Sequence, residues 1–339
     1  MKDITTIGID LAKNVFQLHG IDNKGNVVLK KRLNRRNVLS FLVNMEPCLI
    51  GIEACCGSHF WARELKKLGH EVRQMPPQYV KPYVKTNKTD ANDAEAVCEA
   101  VTRPNMRFVP TKSEEQLNLQ ALHRIRERLI RNRTSLTNQI RGLLLEAGIS
   151  VPQGVAKLRN VLPEIFEDLS NRLTLIERDY LSDLYTELVD LDGKVLKYEN
   201  QLQILCGQSA ECQKLLTIPG IGLLTAIALV SAIGDAHAFK NGRQLAAWVG
   251  LTPRQHSSGG KDRLMGISKR GNSYLRKLLV HGARSVVYRC RNKDDCRSRW
   301  LAEIEDRRGI MKATVAQANK AARIVWAVLT KDEKYRQAA

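Results

Sequence analysis

Two runs of apolar residues spaced three and four apart limit what this chain can fold into more than any other feature. In the first, from 113 to about 147, Leu122, Ile125, Leu129, Leu136, Ile140 and Leu143 recur at helical and near-heptad spacing. The second, from about 163 to 205, carries Leu169, Leu173, Ile176, Tyr180, Leu184, Leu188, Leu191, Val195, Tyr198, Leu202 and Leu205. A helix rises about 1.5 Å per residue, so helices this long project away from the domain that carries them. The pattern predicts a two-helix coiled coil, with a plain helical bundle as the other solution. Interleaved in the first run are Arg124, Arg126, Arg128, Arg131, Arg133 and Arg141.

The flanking segments read differently. Before Pro110, short β-prone stretches ("ITTIGI", "VFQLHG", "NVVLKKRL", "CLIGIEA", "HEVRQMPP") are joined by a "DNKG" hairpin turn and by helical stretches such as "SHFWARELKKLG". The order β-β-β-α-β-α-β-α fits a mixed sheet with helices packed on it. After Lys214 the chain is mostly helical, with glycine-rich punctuation. The "IPGIG" turn at 218–222 resembles a helix-hairpin-helix, whose turn amides meet phosphate as helix N-termini do. The expected class is α/β plus α, divided at 1–110, 111–207 and 208–339.

Charge narrows the partner. Lys and Arg number 54 against 35 Asp and Glu, a formal charge of +19 with a pI near 9.7. So large an excess implies a polyanion, and nucleic acid is the default. No amphipathic basic helix with aromatic anchors points to a membrane surface instead. The N-terminus lacks a signal peptide's apolar core, and no run of about 18 apolar residues spans a membrane. None of the eight cysteines forms a C-x-x-C pair, so they read as reduced thiols of a cytoplasmic protein.

Against that basic background four carboxylates stand out. Asp10 and Glu53 each end an apolar strand, and Asp90 and Asp93 open a helix three residues apart, on one face of its first turn. Taken singly, Asp90 is explained as an N-cap and Asp93 as a favourable charge near a helix N-terminus. Together the four can converge on one rim of the sheet, where like charges repel unless a cation sits among them. Hard Mg²⁺, with Mn²⁺ as the alternative, suits such oxygen ligands. Two such ions can stabilise both the attacking and leaving oxygens of a phosphoryl displacement.

These residues carry a family resemblance. "GIDLAK" at 8–13, "GIEACCGS" at 51–58 and "KTDANDAEA" at 88–96 resemble the DEDD motifs of IS110/IS1111 transposases. "IPGIG" and "AAWVGLTPRQHSSGGKDRLMGISKRGNSYLR" at 246–276 resemble that family's C-terminal domain, and "EACCGSHFWAR" looks most like the IS1111 branch. The resemblance implies an RNase H-like, RuvC-type domain, a coiled-coil insertion and a helical C-terminal domain. It also implies an RNA-guided DNA recombinase working as a homo-oligomer, with a guide RNA encoded by the element. A catalytic serine is implied as well: its position falls on Ser258, with Ser257 as runner-up. The doubled cysteine after Glu53 departs from the commoner Ala-Thr-Gly but keeps the carboxylate.

The serine block agrees on its own terms. A serine beside glycines brings its Oγ close to a phosphate without steric hindrance. Arg254, Lys261, Arg263, Lys269 and Arg270 flank it and suit phosphate contacts, as do Arg124, Arg128 and Arg131 in the helical run. A DNA-binding loop without chemistry is the plainer alternative. His256 could assist proton transfer, though a backbone or DNA contact suits it better. His281, Arg284 and Tyr288 resemble tyrosine-recombinase residues but stand too close together on one helix. A RuvC-like nuclease cutting with activated water remains the competing enzyme.

Overall fold

A computed structural model describes residues 3–87 and 89–336; Lys88, which opens the third motif, lies outside them. The chain divides into two compact units, Met1–Glu114 and Glu115–Ala339.

The first unit is a five-stranded sheet with helices on both faces. Its strands are β1 (Thr6–Asp10), β2 (Val15–Ile21), β3 (Val27–Asn34), β4 (Leu49–Glu53) and β5 (Glu71–Met75), in the spatial order β3-β2-β1-β4-β5. β1, β2 and β3 pair antiparallel, whereas β4 and β5 run parallel to β1. Helices α1 (Val38–Leu42), α2 (Ser58–Lys67), α3 (Pro77–Val80) and α4 (Asp90–Val101) supply the connections. Alternation along each strand sorts the two faces. Ile7, Ile9, Phe16, Leu18, Ile50 and Ile52 pack with Trp61 and Leu65 of α2. Gly8 and Gly51 point the other way, toward α4. A side chain at Gly8 would strike the Ala94 carbonyl and the Cys98 amide, and one at Gly51 would strike Val101. The glycines therefore let α4 lie directly on the sheet.

The second unit begins with α5 (Glu114–Glu146), α6 (Val155–Glu167) and α7 (Leu175–Gln208). Leu129, Leu136, Ile140 and Leu144 of α5 share a core with Leu158 and Leu162 of α6 and with Leu181, Leu188, Leu191 and Val195 of α7. Arg126 pairs with Glu199 at 2.5 Å and Arg133 with Asp192 at 2.7 Å. Seven residues further along α5 means seven residues back along α7, so the two helices are antiparallel. The apolar seam is thus occupied within the chain.

The second run corrects one expectation. A single helix from 163 to 205 is expected, but the chain breaks at 168–174, and Pro163 lies inside α6 rather than at a helix start. Local hydrogen bonding explains the break. Arg178 donates to the Ile165, Phe166 and Asp168 carbonyls, tying off the end of α6, and Asp168 accepts from the Ser170 amide and hydroxyl. Thr174 and Glu177 then form a capping box that starts α7 afresh. Leu169 and Ile176, read as seam positions, are 87% and 76% exposed.

The chain continues through α8 (Ala210–Leu216), α9 (Leu223–Ile233), α10 (Gly242–Val249), a hairpin of β6 (Pro253–Ser258) and β7 (Lys261–Ile267), α11 (Ser273–Val287), α12 (Cys296–Arg308) and α13 (Ile310–Lys331). Apolar residues of α8 to α11 and α13 make the core here. Cys48, Cys98, Cys206, Cys212 and Cys290 are buried free thiols. Among the described residues no helix is long and apolar enough to cross a membrane.

Candidate active site

Backbone geometry brings the carboxylate positions together. β1 and β4 are parallel neighbours with Ile9 opposite Ile52, so Asp10 and Glu53, one residue on, end adjacent strands at the same edge. Two-residue alternation puts Asp10 on the face of Gly8 and Glu53 on the face of Gly51, which is the face α4 covers. Helix α4 runs back along β1: Cys98 reaches the Thr6 carbonyl, and Ala94 lies over Gly8. Its first turn therefore comes to the edge where Asp10 stands. Electrostatics agree within this unit. Burial pushes the Cys55 thiol above its ordinary value, and the charges of Glu53 and Asp10 push it further. Cys55 therefore lies within the field of both carboxylates.

The N-cap of α4 is Thr89, whose hydroxyl accepts from the Asn92 amide at 3.2 Å. Asp90 is therefore not the cap, and capping does not account for it. Asp90 and Asp93 both sit in the first turn, where negative side chains are favoured. The donor set suits a hard divalent cation: carboxylate oxygens at one sheet edge, with no imidazole among the four. As placed, no three His, Cys, Asp or Glu side chains among the described residues surround a common point.

The serine block lies in the second unit and is a β-ribbon rather than a loop. Pro253–Ser258 pairs antiparallel with Lys261–Ile267, and Gly259 and Gly260, with φ of +55° and +75°, make the two-residue turn. Positive φ at both central residues is what a tight hairpin demands, and glycine supplies it. Every residue of the two strands except Ile267 is exposed. The root of the ribbon is anchored. The Ser268 amide donates to the Thr252 carbonyl, and side chains at Gly250 or Gly271 would collide with the backbone of Arg270 or Trp248. Asn272 then caps α11 through the Tyr274 and Leu275 amides.

Pairing in the ribbon separates the two serines. Ser257 stands opposite Asp262, and Ser258 opposite Lys261. The Ser257 hydroxyl donates to an Asp262 carboxylate oxygen at 2.7 Å, and Gln255 Nε2 donates to both residues, at 2.8 and 2.9 Å. The Ser257 hydroxyl and the Gln255 amide hold the Asp262 carboxyl below its ordinary range. Asp262 and Gln255 were not among the sequence candidates. The Gly-Gly pair between polar stretches is the signal that would have found the hairpin and hence its cross-strand partners.

The basic residues fall into two groups. Arg126 and Arg133 are held by Glu199 and Asp192, Arg159 shares Asp192, and Arg141 donates to the Pro152 carbonyl. Arg124, Arg128 and Arg131 are spaced four and three apart, so they line one face of α5. Arg254, Lys261, Arg263, Lys269 and Arg270 are exposed on or beside the ribbon. Elsewhere, the "IPGIG" turn is braced from behind, since Gly220 meets the Gly282 backbone of α11 so closely that neither position has room for a side chain. His281 is exposed in that helix, and Tyr288 caps its C-terminus, 67% exposed.

A family model for DEDD transposases of the IS110 type, described as "Transposase", matches residues 7–149. A second, described as "Transposase IS116/IS110/IS902 family", matches residues 212–299. A probable family 20 transposase of Pseudomonas aeruginosa is 49% identical over 335 residues, covering 98% of this chain and 99% of the relative. The transposase for insertion sequence element IS1111A of Coxiella burnetii is 46% identical, covering 99% of this chain and 92% of its own length. More distantly, a pilin gene-inverting protein of Moraxella bovis is 26% identical over 305 residues, 84% of this chain and 83% of the relative. With a carboxylate edge in its first unit, a serine ribbon in its second and both matched end to end by such relatives, the chain belongs to the IS110/IS1111 family of insertion-sequence transposases.

Proposed function

We propose that the protein is the RNA-guided recombinase of an insertion sequence, cutting and rejoining DNA strands with a divalent metal at Asp10, Glu53, Asp90 and Asp93 and with Ser258 as nucleophile. The observation that carries this reading is the shared edge and face of Asp10, Glu53 and the first turn of α4. The strand order β3-β2-β1-β4-β5, three antiparallel strands followed by two parallel additions, supports an RNase H-like, RuvC-type domain at 1–110. A helical coiled-coil region at 111–207 and a C-terminal transposase domain at 208–339 complete the division.

In this reading Asp10, Glu53, Asp90 and Asp93 would hold Mg²⁺ or Mn²⁺, which when bound would supply electrostatic stabilisation of the phosphoryl oxygens. Ser258 Oγ attacks the phosphorus, and one phosphorus–deoxyribose oxygen bond breaks. The serine loses its proton to the surrounding base or water, and the departing sugar oxygen takes one up. The energy of the broken linkage is kept in the serine phosphodiester. A hydroxyl of another strand can then reverse the step and rejoin the DNA. Arg254, Lys261, Arg263, Lys269 and Arg270 grip the flanking phosphates, and Arg124, Arg128 and Arg131 hold nucleic-acid backbone further out. A net charge of +19 suits a protein that holds both RNA and DNA, and we place the homo-oligomer in the cytoplasm. That one relative is named for inverting a gene supports rejoining rather than simple cutting.

The test uses the full-length protein, the element's noncoding RNA and DNA carrying the element ends, in Mg²⁺. Asp10→Ala should lower cleavage by at least about a hundredfold while affinity for nucleic acid stays within about twofold, because a metal ligand is removed and the phosphate-binding side chains are untouched. Full cleavage by this variant refutes the carboxylate assignment. Ser258→Ala should abolish the covalent protein–DNA adduct. Cleavage that persists in it without an adduct would favour a water-using nuclease.

A further inference from the structure

The ribbon has two chemically different faces. Residues directly opposite one another in an antiparallel pair share a face, and neighbours along a strand alternate. The pairs Gln255–Leu264 and Ser257–Asp262 lie on one face, and His256–Arg263 and Ser258–Lys261 on the other. The first face carries one formal charge, the Asp262 carboxylate. The second carries two cations and an imidazole around Ser258. A phosphate is repelled by the first and attracted by the second.

An exposed two-stranded ribbon has little to hold its shape. Apart from Ile267 at the foot of β7, which packs against the core, neither strand buries a side chain, and an isolated hairpin is marginally stable in water. The anchoring at Gly250 and Gly271 fixes the root, nine and eleven residues from the Gly259–Gly260 turn. Nearer the tip, the Gln255–Ser257–Asp262 triangle supplies side-chain hydrogen bonds of 2.7 to 2.9 Å. That triangle bridges both strands at the pair next to Ser258. Locking Ser257 and Asp262 on one face locks Ser258 and Lys261 on the other.

We propose that Asp262 is a positioning residue for the strand-transfer reaction: with Ser257 and Gln255 it clamps the tip of the ribbon so that Ser258 is presented on the cationic face. The inference rests on Ser258 being the nucleophile, as proposed above, and adds a role for residues outside that reading. Ser257 is then a structural hydroxyl. Its hydroxyl donates a hydrogen bond to Asp262, and the same anion keeps phosphate away from it. A misplacement of a reacting group by about 1 Å costs on the order of a hundredfold in rate, so a clamp that limits wandering of the tip acts on rate rather than on affinity.

The experiment measures single-turnover formation of the covalent protein–DNA adduct by the full-length protein with the element's noncoding RNA and end DNA, at saturating protein. Nucleic-acid affinity is measured in parallel. The variants are Asp262→Ala, Asp262→Asn, Ser257→Ala, the double Asp262→Ala/Ser257→Ala, and Ser258→Ala. Asp262→Ala and Ser257→Ala should each slow adduct formation about tenfold with affinity unchanged within about twofold. The double variant should be no slower than either single one, because both lesions open the same clamp. Asp262→Asn keeps an oxygen that can accept from Ser257 and should recover most of the rate. The ribbon is outside the core, so unfolding temperature should not move in any of them, and a drop would assign the effect to folding and overturn the proposal. Rates within twofold of the unaltered protein in both single variants would also overturn it while leaving Ser258 as nucleophile. So would a loss of affinity with an unchanged saturated rate. An adduct mapped to Ser257 in Ser258→Ala would overturn the nucleophile assignment itself, with Asp262 then acting as the base of Ser257.

Discussion

At the residue scale, Gly8 does as much for the carboxylate edge as the carboxylates do. Asp10 ends β1, but the first turn of α4 reaches that edge only because the helix backbone lies where a side chain on residue 8 would be. The collision partners at Gly8 are backbone atoms of Ala94 and Cys98, which cannot rotate away. Gly8→Ala should therefore destabilise the first unit by roughly 1–3 kcal/mol or more, as overpacking does. It should also lower cleavage by displacing Asp90 and Asp93. Gly142→Ala is the contrast: this glycine lies inside α5 with open space where a side chain would go. There the change should stabilise by up to about 1 kcal/mol through helix propensity. Thermal or denaturant unfolding of the two variants checks both signs, and equal behaviour would remove Gly8 from this role.

At the element scale, the arginines of α5 differ in surroundings, some ion-paired to α7 and others exposed. Arg126 and Arg133 face α7 and are partly buried in ion pairs, with their side chains 13% and 24% exposed. Removing either should cost on the order of 1–3 kcal/mol of stability, because a charged hydrogen bond disappears and its carboxylate partner is left behind. Arg124, Arg128 and Arg131 lie along one face of the same helix. Reversing all three to Glu should weaken nucleic-acid binding. It should also flatten the dependence of log affinity on log salt by about 0.7–0.9 for each phosphate no longer neutralised. Affinity measured over a salt series decides it: an unchanged slope means these side chains touch no phosphate. Heptad counting alone does not sort the six arginines, because it shows where a helix is apolar and not which polar neighbours find partners on another helix. The break between α6 and α7 escaped the sequence for a related reason. Leu169 and Ile176 keep the apolar rhythm across it, while Arg178, reaching back to three carbonyls, decides the chain path.

For the whole molecule, the proposed chemistry needs groups from both ends of the chain. The carboxylates lie in the unit Met1–Glu114 and Ser258 in the unit Glu115–Ala339. The proposed strand exchange would hold more than one cut strand at once, a task suited to an oligomer. Our expectation is that Ser258 of one protomer acts with the carboxylates of another, so that cutting waits for assembly. Mixing an Asp10→Ala protein with a Ser258→Ala protein, each inactive alone, should then restore part of the cleavage activity. No recovery in subunits shown to mix would place the serine with the carboxylates of its own chain. The buried apolar seam of α7 is used inside the chain, against α5 and α6.

The sequence by itself determined the strand and helix order of the first unit, the long helices after Pro110 apart from the break at 168–174, and the family, and it marked the four carboxylates and the serine block as candidates. Each is a local or periodic signal: alternation along a strand, three-four spacing along a helix, or a motif read in order. Tertiary structure alone decided which of these residues become neighbours. Thr89 rather than Asp90 caps α4, which can be seen only once the helix start is fixed by its hydrogen bonds. Asp10 and Glu53, 43 positions apart in the sequence, become neighbours through parallel pairing of β1 with β4. Ser257 and Ser258, adjacent and identical in composition, part company because a strand turns successive side chains to opposite faces. One then meets Asp262 and the other Lys261. Pairing across strands is a non-local interaction, and no spacing along a single chain encodes it until the register is set.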